Sequence, residues 1–300
     1  MNYKNISPTK LAIIGLGRMG KHHYRLLQKM DNIKIVALCD VETESTFSYP
    51  LYHDVDEMLS CVDIEVAIIT VPTSLHKEIA LKCMEKNIHL FIEKPISSTV
   101  SEAKILLDKS RLKNIKVVVG YIERFNPVVQ LLQEKLKNSQ IYSIQTTRIS
   151  PFPSRIVDVG VLTDLSVHDI DLITFISGKK IKHINIFKSK NRHQYYEDTA
   201  LLSLQLEKGT IASITTSWLS PISKRVIHIS SNKGYYEADL ITQELFEFQD
   251  NQKRKVCFVE KRNPLKDELT AFIKYIQIGD NNMCATIEES MNTLKMVSAE

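Results

Sequence analysis

The chain has 300 residues, 43% hydrophobic and 25% charged, with a net charge of +4, a composition that suits a globular protein long enough for two ordinary domains. Its basic residues are spread out, and the densest stretch, Lys253-Arg254-Lys255 with Lys261-Arg262, is short and mixed with acids, so a nucleic-acid partner is not expected. No run approaches the roughly 18 consecutive apolar residues of a membrane span, the first ten residues are polar, and the scattered cysteines 39, 61, 83, 257 and 284 read as reduced packing residues, so a cytoplasmic protein without a membrane partner is expected.

From Lys10 to Tyr121 short apolar runs alternate with helix-period segments, the rhythm of βαβ units that feed a parallel sheet. Strands are predicted at Leu11 to Ile14, Ile33 to Cys39, Val66 to Val71, Ile88 to Ile92 and Ile115 to Gly120. Amphipathic helices are predicted over Lys77 to Lys86 and Ser101 to Lys109. The second half changes rhythm. A helix is predicted from Leu162 to Ile176, then alternating strands between Ile181 and Val259, with reversals at Glu207-Lys208-Gly209 and Asn232-Lys233-Gly234. Phe246, Phe248 and Phe258 read as core. Helices over Pro264 to Ile278 and Ile287 to Val297 close the chain. The expected architecture is an α/β Rossmann domain with a doubly wound parallel sheet over 1–121, followed over 122–300 by an α+β domain with an open, mostly antiparallel sheet for substrate binding and oligomerisation.

Gly15-Leu16-Gly17-Arg18-Met19-Gly20 follows the first strand and opens a helix. In that context the first glycine permits a tight turn, the second lets backbone approach a pyrophosphate, and the third lets helix and strand pack closely, with phosphate at the helix amino end. Asp40 ends the second strand, where a carboxylate accepts hydrogen bonds from the adenosine ribose and repels the extra phosphate of NADP; Val41 beside it offers no arginine, so the expected cofactor is NAD. After the third strand, Thr70, Pro72, Thr73 and His76 lie at the carboxyl end of the sheet, where ligands bind in open α/β folds. Thr73 could instead cap the next helix, and for His76 a structural and a functional role are equally open.

Glu93-Lys94-Pro95 delivers a lysine to the same sheet edge. Asp164 and His168 stand four apart in a predicted helix and so share a face, although such a pair alone is more often a surface or capping feature. No His, Cys or carboxylate cluster has common metal-ligand spacing, so no metal is expected.

These three motifs, in this order, resemble the glucose-fructose oxidoreductase and inositol dehydrogenase family (Gfo/Idh/MocA) over essentially the whole chain. Within it, Val71-Pro72-Thr73-Ser74-Leu75-His76-Lys77-Glu78, Gly120-Tyr121-Ile122-Glu123-Arg124-Phe125-Asn126-Pro127 and Pro151-Phe152-Pro153-Ser154-Arg155 with Asp158-Val159-Gly160-Val161 look closest to the UDP-N-acetylglucosamine 3-dehydrogenases. That resemblance implies oxidation of a sugar C3 hydroxyl by NAD for lipid A or surface-glycan synthesis, with Lys94 and His168 handling the proton and Asp164 positioning the hydroxyl or the histidine. Tyr121, where the subgroup has histidine, and Leu165-Ser166, where many members carry glycine, depart from the pattern. A free sugar or inositol is the alternative substrate, and a non-catalytic NAD-binding regulator the alternative class.

Hydride abstraction requires the hydroxyl proton to leave toward a nearby base. Neutral histidine, with an ordinary pKa of ~6.5, suits that near pH 7, whereas lysine at ~10.4 needs a strongly lowered value. His168 as the base with Lys94 as electrostatic support, or Lys94 as the base, are the two assignments. A substrate diphosphate needs basic donors, for which Arg124, Arg148 and Arg155 are candidates. Tyr121, Asn126 and Tyr196 are further substrate candidates, although Asn126 also suits a helix cap before Pro127. The open sheet face is expected to bury itself in a homodimer or homotetramer.

Overall fold

A computed structural model describes residues 7–42, 47–153, 159–249, 252–256, 261–281 and 283–298, with only the backbone of 253, 255 and 256. Chain contacts divide it into two units, Met1–Tyr121 with Leu265–Asn292, and Ile122–Pro264 with Thr293–Glu300.

The first unit runs β1 (Thr9–Ile14), α1 (Arg18–Leu27), β2 (Ile33–Cys39), β3 (Leu51–Tyr52), α2 (Val55–Cys61), β4 (Val66–Ile69), α3 (Thr73–Glu85), β5 (His89–Glu93), α4 (Val100–Leu112) and β6 (Val117–Gly120). The six strands pair in parallel in the order β3-β2-β1-β4-β5-β6. Strands covered on both faces lose polar alternation, which is why β4 and β6 are apolar at nearly every position. Met58 of α2, Ala80, Cys83 and Met84 of α3, and Ala103 and Leu106 of α4 complete the core around them. The strand order reverses between β1 and β4, so the crevice outside their carboxyl ends is where such a sheet takes a ligand. Asp54 and Thr99 cap α2 and α4 by accepting the Glu57 and Glu102 amides.

In the second unit a 3₁₀ turn at Ile122–Phe125 leads to α5 (Pro127–Leu136) and β7 (Ile141–Ile149). A π-helical turn, Leu162–Ser166, then runs into α6 (Val167–Ser177), which ends on left-handed Gly178. The strands β8 (Ile181–Ser189), β9 (Thr199–Leu206), β10 (Ile211–Ser217), β11 (Lys224–Ser231), β12 (Gly234–Asp239), β13 (Glu244–Gln249) and β14 (Gln252–Val256) follow. With β7 they make an eight-stranded sheet, β14-β13-β12-β11-β7-β10-β9-β8, antiparallel except where β7 lies parallel to β10. Val128, Val129 and Leu132 of α5 and Ile170 and Ile173 of α6 share a core with Leu202, Leu204, Ile214 and Ile229 of the sheet.

The α/β and α+β architecture matches the sequence expectation, with three differences. Helix α2 and strand β3 lie outside the elements expected from sequence, which mark α5 only by the cap reading of Asn126 before Pro127. Phe246 and Phe248 are half-buried and paired in register with Glu237 and Tyr235, whereas Leu245, just before them and on the opposite face of the strand, is fully buried; the alternation of β13 therefore turns the aromatics away from the core. Phe258 and Cys257 lie outside the described residues. Third, α7 (Pro264–Ile278), from Leu265, and the start of α8 (Ile287–Ser298) belong to the first unit by contact rather than to one continuous 122–300 domain. Phe272 of α7 meets Phe91 edge-on, and Lys116 Nζ donates to the last-turn carbonyls of Tyr275 and Ile276. Those contacts are between residues remote in sequence, and no local pattern announces them.

Candidate active site

At the carboxyl end of β1, Gly15 adopts φ +92°, and a Cβ there would stand 2.7 Å from the Val71 nitrogen. A Cβ on Gly20 would stand 1.9 Å from the Gly15 carbonyl oxygen, so this glycine sets how closely α1 lies against β1. Gly17 is different. It is the N-cap of α1, no side chain caps that helix, and a Cβ there would meet no atom within 4 Å. The cradle thus keeps open space beside an uncapped helix amino end, the setting in which backbone N–H groups and the helix dipole bind a dinucleotide pyrophosphate. Arg18 and Met19 form the first turn of α1. Asp40 accepts the Leu16 amide (2.5 Å) through Oδ2 and the Glu42 amide (3.0 Å) through Oδ1, tying the end of β2 to the glycine loop. Thr70, the residue after the neighbouring β4, donates its Oγ1–H to the Gly15 carbonyl at 2.6 Å.

Pro72, not Thr73, is the N-cap of α3, and no side chain caps that helix, so the alternative of Thr73 as a cap is corrected. His76 is buried, its Nδ1 2.9 Å from the Pro95 carbonyl and its Nε2 3.0 Å from the Val71 carbonyl. Burial pushes its pKa below the ordinary value, against the opposing pull of the two carbonyls. A neutral ring donates to one of them. His76 thereby joins the loop after β4 to the loop that carries Lys94.

A second clamp holds that loop. His23 of α1, fully buried, places Nε2 2.8 Å from Glu93 Oε1, and Phe91 meets its ring edge-on. Gly120 at the end of β6 makes room, since a Cβ there would stand 3.0 Å from Glu93 Oε2. Lys94, half-buried, follows directly. Sequence reading gave His23 no role, since the His22-His23 pair has no metal-ligand spacing. The available signal was its place three residues beyond Gly20, on the helix the glycine loop opens. Tyr121 is in the core of this unit, with its hydroxyl 3.3 Å from Ser290 Oγ, which corrects its assignment as a substrate contact.

In the second unit Asp164 lies in the π turn and His168 in the first turn of α6, both half-buried. The expected continuous α-helix is widened here by a turn of the kind often found at functional positions. The rest of α6 is anchored by buried ion pairs. Arg124 grips Asp171 through Nε (2.8 Å) and Nη2 (2.5 Å) and stacks on Phe175. Arg148 binds Asp169, beside His168, at 3.1 Å and Glu123 at 3.0 Å, and Arg225 also reaches Glu123 at 3.1 Å. Burial alone would raise the Glu123 carboxyl, but Arg148 and Arg225 outweigh it and hold the pKa below the usual range. These partners correct the assignment of Arg124 and Arg148 to a substrate diphosphate, because both guanidinium groups are buried against carboxylates. Asn126 caps α5 through Val128 and donates to the Leu240 carbonyl at 2.9 Å, a structural role in place of the substrate contact. Arg155 lies outside the described residues. Tyr196 is exposed.

Among the described residues no group of three or more His, Cys, Asp or Glu could hold a metal ion, and no helix is long and apolar enough to cross a membrane.

Comparison with known proteins agrees with this geometry. Residues 9–121 match the GFO/IDH/MocA oxidoreductase family model with an NAD-binding Rossmann fold, and residues 141–237 match the C-terminal domain of the same family. A myo-inositol 2-dehydrogenase of Thermotoga maritima is 23% identical, covering 90% of this chain and 89% of its own. A UDP-N-acetylglucosamine 3-dehydrogenase of Acidithiobacillus ferrooxidans is 26% identical over 79% of this chain and 75% of its own. A solved structure of the UDP-N-acetylglucosamine 3-dehydrogenase from that organism superposes with a TM-score of 0.88 at 21% identity, covering 97% of this chain and 96% of that one. The glycine cradle, Asp40 and the matched domains identify the chain as a member of the GFO/IDH/MocA family of oxidoreductases, with NAD as its cofactor.

Proposed function

We propose that this enzyme oxidises the C3 hydroxyl of a UDP-N-acetylhexosamine, UDP-N-acetylglucosamine in the first instance, to the 3-keto sugar, in the cytoplasm and for lipid A or surface-glycan synthesis. The observation that carries oxidation of a CH–OH group is the double clamp on Lys94: His76 and the His23–Glu93 pair fix its loop to the two segments that frame the dinucleotide cradle. The nucleotide-sugar assignment is supported by the three sequence stretches quoted above and by the likeness to a 3-dehydrogenase across nearly the whole chain.

The NAD held by Gly15, Gly17, Arg18, Met19, Gly20, Asp40, Thr70, Pro72, Thr73, His76, Glu93 and Lys94 would supply the hydride acceptor. His168 takes the hydroxyl proton, Asp164 orients the hydroxyl or the imidazole, and Lys94 stabilises the developing alkoxide. The pH dependence of kcat/KM checks this division. His168→Ala loses the acid limb of the wild-type profile, and its retention would move the base to Lys94.

Oxidation of inositol or a free sugar is the second reading. Two observations favour it: inositol dehydrogenases are about as similar in sequence, and Arg124 and Arg148 are occupied by carboxylates. The sheet face opposite α5 and α6, with Phe187, Leu201 and Tyr235 exposed, is proposed as the contact of a homodimer or homotetramer; the mass in solution tests it.

A further inference from the structure

With Arg124 and Arg148 neutralised inside the second unit, a diphosphate would need another cation, and the loop between β8 and β9 carries one in a different setting. Arg192 is exposed, and its guanidinium carbon lies 4.6 Å from the centroid of the Phe152 ring. Among the described residues no carboxylate forms an ion pair with it. A guanidinium stacked on an aromatic face keeps its in-plane N–H donors available for bidentate acceptors.

The loop that presents it is ordered from within. Asp198, fully buried, accepts the amides of Asn191 (2.9 Å), Arg192 (2.6 Å) and His193 (3.1 Å). Burial pushes that carboxyl up, but the hydrogen bonds from these amides and from the Asn191 side chain outweigh it and keep it below the usual range. Beneath the loop the His193 ring packs with Phe152, Trp218 and Tyr196, at centroid distances of 6.0, 6.1 and 5.4 Å.

The same loop braces the turn that holds Asp164. Glu197 accepts the Val161 amide through its backbone carbonyl (3.1 Å) and the Leu162 amide through Oε1 (3.0 Å). Gly160 admits that carboxylate, since a Cβ there would stand 2.1 Å from Oε1. Arg192 is therefore carried on the segment that is hydrogen-bonded to the start of the proposed catalytic helix, and Phe152 lies in the Pro151-Phe152-Pro153 stretch after β7.

We propose that Arg192, stacked on Phe152, binds the phosphate groups of a nucleotide-sugar substrate and is the residue by which the enzyme prefers a charged nucleotide sugar to a neutral polyol. This rests on the nucleotide-sugar reading above. The test is calorimetric titration of the NAD-loaded full-length protein with UDP, inorganic pyrophosphate and uridine, for wild type, Arg192→Gln and Arg192→Lys. The expected result is that Arg192→Gln weakens UDP and pyrophosphate by at least about tenfold without changing uridine. Arg192→Lys should recover part of the loss, and unchanged NAD affinity would show the variants folded. Arg192→Gln binding UDP as tightly as wild type overturns the role of Arg192 and leaves the nucleotide-sugar reading standing. A wild-type protein that binds neither UDP nor pyrophosphate overturns both.

Discussion

Gly17→Ala should separate folding from cofactor binding. At position 17 the backbone has φ −63°, a conformation any L-residue adopts, and the added methyl meets no protein atom within 4 Å. Stability should therefore stay within about 0.5 kcal/mol of wild type, a shift of at most about 2 °C in Tm for a chain of this size. The methyl would point into the space where a pyrophosphate approaches the amino end of α1, and overpacking of that kind costs about 1 to 3 kcal/mol, or roughly 5- to 150-fold in Kd for NAD. Gly20→Ala gives the contrast. Its methyl would lie 1.9 Å from the Gly15 carbonyl oxygen, a clash with backbone that no side-chain rotation relieves, so the first unit should lose several kcal/mol. Thermal unfolding without ligand and NAD titration by fluorescence measure the two effects separately. A Gly17→Ala protein with wild-type NAD affinity would refute the placement of the pyrophosphate; one that unfolds as readily as Gly20→Ala would refute the claim of open space.

Arg148→Met should destabilise the protein by about 3 to 5 kcal/mol in urea unfolding, because Asp169 and Glu123 stay buried without their shared cation; wild-type stability with a raised sugar KM would return Arg148 to the substrate site. For His76, burial lowers the folded-state pKa. Its contribution to stability is then fully present above the unfolded value of about 6.5 and is lost as pH falls through the lower folded value. His76→Gln should flatten the acid side of the Tm profile over that interval, and an unchanged acid slope would show that His76 does not set it.

The first unit was largely legible in sequence because its strands are apolar runs and its turns are marked by glycine. Ile33–Cys39 and Pro264–Ile278 begin and end where periodicity put them. The cradle was legible for the same reason: Gly15 and Gly20 need their residue type for backbone conformation and close approach, and Gly17 between them leaves the open space. Misreadings came where side chains choose between partners remote in sequence. Arg124 and Arg148 look like anion donors until the fold brings Asp171, Asp169 and Glu123 to them. Tyr121 looks like a substrate contact until α8 supplies Ser290. His23 has no partner close in sequence, and its partner Glu93 arrives from β5. The π turn at Asp164 has no period that an α pattern would reveal.

Absorbance at the NADH band, followed after the enzyme and NAD are mixed with UDP-N-acetylglucosamine, with free N-acetylglucosamine, or with inositol, and with a carbonyl trap to draw the reaction forward, decides the substrate. NADH formed with the nucleotide sugar and with neither neutral compound is the predicted result. Turnover of inositol or the free sugar in its place would contradict the nucleotide-sugar assignment, and NAD binding without turnover of any of the three would contradict the catalytic roles of Lys94, Asp164 and His168.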